Sequence, residues 1–220
     1  MASSKIAVYT GTRNYYEFMV PAVKSLLKNS DVEKIYLLIE DDEFPYQLDK
    51  VETINVSDQE YFHRDGPNMN SRFTYMALMR AALAFVFPQY DRILSLDVDT
   101  IVRKNISDLW ELPIDNYYMA MAPEFHKSTS DWMYCNAGVT LFNLEKLRDG
   151  KAKEIIRELN REQYPFMEQD VINYLCQGEI YPMDGDYNAN SWTTHSDDPK
   201  IIHYAGYKDW TSFPDFQKWL

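Results

Sequence analysis

The segment Ile93-Leu94-Ser95-Leu96-Asp97-Val98-Asp99-Thr100 sets two carboxylates at i and i+2 directly behind an apolar run. In an open α/β sheet, ligands bind beyond the carboxyl ends of the strands. Asp97 and Asp99 would present hard oxygen acceptors there, suited to Mg2+ or Mn2+. A diphosphate would supply further oxygen ligands and have its charge neutralised as a bond to it breaks. The plainer reading of the pair is a turn, because aspartate is common where strands end.

Asp-x-Asp-x-Thr behind an apolar strand also resembles the nucleophile strand of haloacid-dehalogenase-like phosphatases, in which the first aspartate attacks phosphorus. Asp97 would then be the nucleophile. That family also uses a downstream lysine and a Gly-Asp-x-x-x-Asp motif. Here Gly185-Asp186-Tyr187-Asn188-Ala189-Asn190 ends in asparagine. At least two strand candidates precede Asp97, whereas that nucleophile strand lies near the N-terminus of its core.

Three further segments bear on the choice: Tyr134-Cys135-Asn136-Ala137-Gly138-Val139, Glu168-Gln169-Asp170-Val171-Ile172-Asn173, and His203-Tyr204-Ala205-Gly206-Tyr207-Lys208-Asp209-Trp210. With the Asp-x-Asp pair they resemble the family 8 glycosyltransferases in order and rough spacing, from Ile6 to Trp210. The resemblance implies a GT-A (Rossmann-like) fold and a donor that is usually a uridine diphosphate (UDP) sugar. It also implies Mn2+ (or Mg2+) as cofactor and retention of anomeric configuration. Asp97, Asp99 and His203 become the metal ligands, with Val98 beside the donor. Gly206 would let backbone approach the diphosphate, and Lys208 would neutralise its charge. The family pattern is His-x-x-Gly-x-x-Lys-Pro-Trp. This chain is one residue shorter before Lys208 and has Asp209 in place of the proline.

The same resemblance puts Tyr9 and Thr10 on the base and ribose, with Asn14 and Tyr15 continuing that wall. An aromatic face stacks on uracil, and amide or hydroxyl groups read its edge. Tyr15 and Tyr16 read equally well as a hydrophobic lead-in to a helix. Arg80 falls on an apolar helix face, where a charge is costly unless paired. It would either neutralise donor charge or be tethered to a core carboxylate. Asn136-Ala137-Gly138 matches a sugar-binding turn, with Asn136 bonding hydroxyls. Glu168-Gln169-Asp170 matches the turn around the transferred sugar. Gln169 would lie near the anomeric carbon, with Glu168 and Asp170 positioning hydroxyls. Carboxylates opening a helix also complement its dipole. Glu124 stands near another acidic sugar contact.

Periodicity gives the elements that must position these groups. Lys5–Thr10 and Lys34–Glu40 are short apolar runs read as buried strands. Between them Met19, Ala22, Val23, Leu26 and Leu27 recur at helical spacing. Pro21 is tolerated in a first turn, so that helix is expected to begin near it. Strand, helix, strand predicts a right-handed βαβ unit. Val51–Val56, Arg92–Leu96, Tyr117–Ala122, Gly138–Phe142 and Lys200–Tyr204 are further strand candidates. Residues 73–85, 144–159 and 169–175 read as helical, and 57–71 as a polar loop. No repeat or linker divides the chain. One α/β domain over residues 1–220 is expected, with a mostly parallel central sheet and flanking helices.

Composition sets the outer bounds. Hydrophobic residues make up 45% of 220, enough for one sizeable core. The net charge of −12 argues against a general nucleic-acid binder. It tolerates one phosphorylated ligand where a divalent cation reverses the local sign. Cys135 and Cys176 read as buried thiols of a reducing compartment. The N-terminus lacks a signal-like apolar segment, and no run of about 18 apolar residues occurs. A cytoplasmic protein without a transmembrane segment is therefore expected. Expected partners are a UDP-sugar donor and a glycan, lipid-linked or protein acceptor, reached through residues 57–71 and 125–133. Homodimerisation stays open, as does the choice of glucose or galactose. No residue is an obvious carboxylate nucleophile, which favours front-face transfer over a covalent intermediate. A donor-binding module without turnover is the non-enzymatic alternative.

Overall fold

The computed structural model describes residues 4–220. Strand β1 (Ile6–Thr10) leads into helix α1 (Tyr16–Lys28), and β2 (Lys34–Ile39) returns parallel to β1. β3 (Val51–Asn55) continues the parallel run outward. A long loop precedes α2 (Met79–Val86) and β4 (Arg92–Leu96), which pairs with the other edge of β1. The short β5 (Thr100–Val102), β6 (Met119–Pro123) and β7 (Cys135–Asn143) follow, then α3 (Leu144–Leu147), α4 (Lys151–Arg161) and α5 (Met167–Leu175). β8 (Ile180–Pro182), β9 (Ile201–His203) and α6 (Pro214–Gln217) complete the order. The seven-stranded sheet runs β3-β2-β1-β4-β7-β6-β8. Only β7 runs against its neighbours β4 and β6. β5 and β9 form a separate antiparallel ribbon.

Alternation along each strand feeds two cores. Ile6, Val8, Tyr36 and Leu38 face the side chains of α2, α4 and α5. Ala7, Tyr9, Ile35 and Leu37 face α1 and Trp110. Each fully buried Leu or Ile contributes roughly 1.5–3 kcal/mol. Strands covered on both faces read as continuous apolar runs, which is why β1, β2 and β4 are plain in the sequence. Because β2 and β4 lie on opposite edges of β1, the winding reverses between β1 and β4. The loops after these two strands part there and open a crevice at their carboxyl ends.

The structure corrects several boundaries. α1 begins at Tyr16, and Pro21 lies inside it. The missing bond would have gone to the carbonyl of Glu17, an exposed residue whose oxygen water can satisfy. The expected helix over 144–159 is interrupted between Leu147 and Lys151, where Gly150, at a φ of 117°, caps the start of α4. Asn136-Ala137-Gly138 is not a turn but the start of β7. There the β6–β7 register jumps from Met121↔Thr140 to Ala122↔Asn136. The skipped residues turn to β4 instead: Val139 pairs with Leu96, and the Gly138 carbonyl accepts from the Asp97 amide at 2.8 Å. Irregularities of this kind re-aim side chains beside functional sites. Residues 57–71 form a loop, as expected, but one fastened to α4. Asn68 Nδ2 donates to the carbonyls of Leu159 and Glu162 at 2.6 and 2.8 Å. Among the described residues, no helix is long and apolar enough to cross a membrane.

Candidate active site

The crevice between β1 and β4 opens into a cleft of about 840 Å³. Asp97 and Asp99 enter it from the turn after β4, which Thr100 tightens by donating its hydroxyl to the Asp97 carbonyl at 2.7 Å. His203 ends β9 and sits opposite Thr100 in the ribbon. One ligand atom from each of Asp97, Asp99 and His203 lies within 4.8 Å of the others. His203 Nε2 is 3.6 Å from Asp97 Oδ2 and 3.4 Å from Asp99 Oδ1.

The other ring nitrogen sets the tautomer. His203 Nδ1 donates to Asn188 Oδ1 at 2.8 Å, which leaves the Nε2 lone pair facing the carboxylates. The amide of Asn188 is itself oriented, because its Nδ2 donates to Asn136 Oδ1 at 3.0 Å. Asn136 Nδ2 donates in turn to Glu124 Oε1 at 2.8 Å. Burial alone would lower the His203 imidazole, but Asp99 and Asp97 outweigh it and hold it above its ordinary value. Burial raises the Asp97 carboxyl, Arg80 opposes this, and Asp99 adds to it. Two crowded carboxylates and one imidazole are a donor set that suits Mn2+ or Mg2+. A divalent cation would relieve the repulsion between the acids.

Arg80 reaches this group from α2. Its Nη1 donates to Asp97 Oδ1 and to the Ala137 carbonyl, both at 2.8 Å. Its Nη2 pairs with Glu168. Of the two sequence readings of Arg80, the tether to core carboxylates describes these contacts. The guanidinium nevertheless borders the cleft and balances the charge of Asp97. Burial pushes the Glu168 carboxyl up to about 7, against the pull of Arg80. The chain reaches Glu168 through Met167, a non-glycine residue at φ 48°. Such a conformation costs about 1 kcal/mol or more and recurs near functional sites.

Further expected residues border the same cleft: Thr10, Tyr15 and Val98 on one wall, Gly206 and Lys208 on the segment after β9. Gly206 has a φ of 79°, a left-handed conformation that glycine adopts freely. Gln169 also faces the cleft. Its Oε1 accepts from the Ala137 amide at 2.9 Å, and its Nε2 donates to the Tyr134 hydroxyl at 3.1 Å.

Four expected residues stand elsewhere. The Tyr9 ring is wholly buried in the core against α1, because β1 alternation points it there and not toward the cleft. Asn14 is exposed on the 3₁₀ turn before α1 and does not border the cleft. The Ala137 side chain is buried among core residues, and this residue contributes only its backbone amide and carbonyl. Asp170 turns away from the cleft, where its carboxylate accepts the Phe166 amide at 2.8 Å and the Tyr134 hydroxyl. It closes the start of α5 and is linked to the cleft-lining Gln169 through the Tyr134 hydroxyl. Residues 57–71 do not line the cleft, because their attachment to α4 holds them aside. Arg72 and Phe73 do, together with His126 and Lys127 from the other expected loop.

Sequence reasoning also missed Asn188, which stands at an unspecified position of the segment compared with the phosphatase motif. No local signal marks it, because its partner His203 lies in another element. Trp192 and Phe166 border the cleft as well. Both sit in irregular segments without periodicity.

Comparison with known proteins agrees with this geometry. The sequence pattern described as Glycosyl transferase family 8 matches residues 6–213. Glycosyltransferase GlyD of Streptococcus pneumoniae serotype 4 is 26% identical over 241 residues, covering 95% of this chain and 29% of GlyD. GlyE of the same organism is 25% identical over 203 residues, covering 84% of this chain and 48% of GlyE. The chain thus spans less than half the length of either relative. The galactosyltransferase LgtC, solved with donor and acceptor sugar analogs, superposes with a TM-score of 0.77 at 19% identity, over 97% of this chain and 94% of that one. The solved GlyE gives a TM-score of 0.70 at 22% identity, over 99% of this chain and 59% of that one. The architecture is the GT-A fold of these glycosyltransferases. By the match across nearly its whole length, the chain belongs to glycosyl transferase family 8.

Proposed function

We propose that the protein transfers a hexose, glucose or galactose, from a UDP-sugar to an acceptor hydroxyl with retention of configuration. The observation that carries the reading is the convergence of Asp97, Asp99 and His203 in a cleft shared with Asn136 and Gln169. Asp97, Asp99 and His203 would hold Mn2+ or Mg2+, which as a Lewis acid stabilises the departing diphosphate. Lys208 adds a second positive charge on the phosphates. Thr10, Tyr15 and Val98 form the wall for the nucleoside. Asn136 and Glu124 offer hydrogen bonds to the sugar hydroxyls, and Gln169 faces the reacting carbon. LgtC has also been solved as an active-site glutamine-to-glutamate variant, which supports a role of this kind for Gln169.

The acceptor oxygen forms the new bond to the anomeric carbon as the bond from that carbon to the diphosphate oxygen breaks. The acceptor proton passes to the leaving phosphate oxygen. Of the carboxylates nearby, Glu168 is paired with Arg80, Asp170 is bonded outside the cleft, and Glu124 accepts from Asn136 through Oε1 with Oε2 left open. This favours front-face transfer over a covalent intermediate.

The test is hydrolysis of a panel of UDP-sugars by the purified protein with Mn2+, with chelator, and with the variant Asp99→Asn. Turnover with Mn2+ that is lost in the other two conditions is expected. The same turnover in the variant would overturn the metal-dependent reading. A donor-binding module would bind UDP and show no hydrolysis. A phosphatase using Asp97 would release phosphate from p-nitrophenyl phosphate. Against that reading, Asp97 Oδ1 is held by Arg80.

A further inference from the structure

The part of the cleft next to Gln169 is cationic and aromatic, in a chain whose net charge is −12. Gln169 Nε2 donates to the Tyr134 hydroxyl. Lys127 Nζ lies 4.2 Å from the centre of the Tyr134 ring and 3.6 Å from that of Phe166. The Arg72 guanidinium lies 4.8 Å from the same Phe166 ring and 4.8 Å from Phe73. Two cations from separate loops therefore converge on one aromatic side chain, one contact away from the residue that faces the reacting carbon.

Neither cation has a well-made acidic partner. Arg72 is exposed and forms no ion pair among the described residues. Among the described residues Lys127 has only Glu124, whose Oε2 is 3.7 Å away, beyond hydrogen-bond reach. That oxygen is buried and without a hydrogen-bond partner. The aromatic faces offset part of the repulsion between the two cations, and a ligand anion would offset more. The donor does not need them, because Lys208 and the cation held by Asp97, Asp99 and His203 already balance its diphosphate in the reading above. An acidic surface also repels anions elsewhere, so a local positive patch concentrates them there.

We propose that the acceptor is an anionic sugar, and that Arg72 and Lys127 hold its phosphate or carboxylate while its ring packs on Phe166 or Trp192. This rests on the transferase reading and names the acceptor's chemical class.

The test is a matched panel of hexose 6-phosphates, hexuronates and neutral methyl hexosides in gluco, galacto and manno forms. Transfer from UDP-glucose and UDP-galactose is followed for each. Binding of the same compounds to the UDP- and Mn2+-loaded protein is followed by NMR. The phosphate and uronate arms distinguish the two anions. A charged member is expected to exceed its neutral counterpart by roughly tenfold, and the preference should shrink in about 0.5 M NaCl. Arg72→Gln with Lys127→Gln should remove most of that ratio, and Arg72→Lys with Lys127→Arg should keep it. Donor hydrolysis without acceptor is measured alongside. A variant that no longer folds or binds donor is recognised in that way, and failure of hydrolysis in the wild type counts against the transferase reading itself. Given donor hydrolysis, three results overturn the proposal: equal use of charged and neutral members, no binding of any charged member, or a charge preference unchanged in the double Gln variant.

Discussion

The imidazole of His203 lies where a side chain on residue 138 would be, with its Cε1 only 2.0 Å from the position of a Cβ on Gly138. Glycine at 138 is thus a condition for the histidine to face Asp97 and Asp99. Gly138→Ala should push the ring away while the surrounding β7 pairing holds. Mn2+ affinity, read by EPR titration, is expected to fall on the order of 100-fold. Wild-type affinity in a folded Ala variant would mean that His203 does not bind the ion.

Asn188 fixes the tautomer of His203 through Nδ1. Asn188→Ala frees the ring to rotate and to place a proton on Nε2. A loss of Mn2+ affinity of about 10- to 100-fold is expected. Asn188→Asp, which still accepts the Nδ1 proton, should recover part of it. Equal affinity in all three proteins by calorimetry would remove Asn188 from the metal site.

Glu168 gives a pH signature in the metal-free protein. Its folded pKa is raised from 4.5 to about 7, chiefly by burial. The raised value favours the protonated form on folding. Its contribution is fully present below the unfolded pKa near 4.5 and is lost as pH rises through about 7. Glu168→Gln, always neutral, keeps that contribution. The stability of the Gln variant relative to wild type should therefore rise by on the order of 2–3 kcal/mol between about pH 4.5 and pH 8. Urea unfolding in chelator across that range measures it, and a pH-independent difference would show that Glu168 titrates normally.

Lys208 is exposed on the segment after β9, and among the described residues it makes no ion pair within 4 Å. UDP with Mn2+ should slow amide exchange over residues 203–210, because a diphosphate gives this lysine its partner. Lys208→Ala is expected to weaken UDP binding about tenfold. Identical exchange with and without bound UDP would mean that the segment is not a lid.

The parts of the site that were legible in the sequence are those carried by local pattern. The apolar run of β4 led straight into Asp97 and Asp99, and β1, β2 and their helix were clear because strands buried on both faces leave continuous apolar runs. His203 was found through its short motif. Tyr9 was misread because motif matching locates a residue without saying which face its strand alternation assigns it. For Asp170 the structure matches the other reading, a carboxylate that serves the backbone where a helix opens. Asn188 and the start of β7 left no local trace. The start of β7 depends on a register jump against β6 and Asn188 on partners in other elements, which periodicity does not report.

The pairing of Thr100 with His203 has a consequence for how the protein is made. The two acids leave the ribosome roughly 100 residues ahead of the histidine that completes their set, and closing so long a loop delays ribbon formation. A chain synthesised only through β5 carries both acids and lacks the third member of their set. The three-residue set is therefore complete only once His203 has left the ribosome. In the reading proposed above, a product truncated anywhere upstream of residue 203 would hold two metal ligands and not the third.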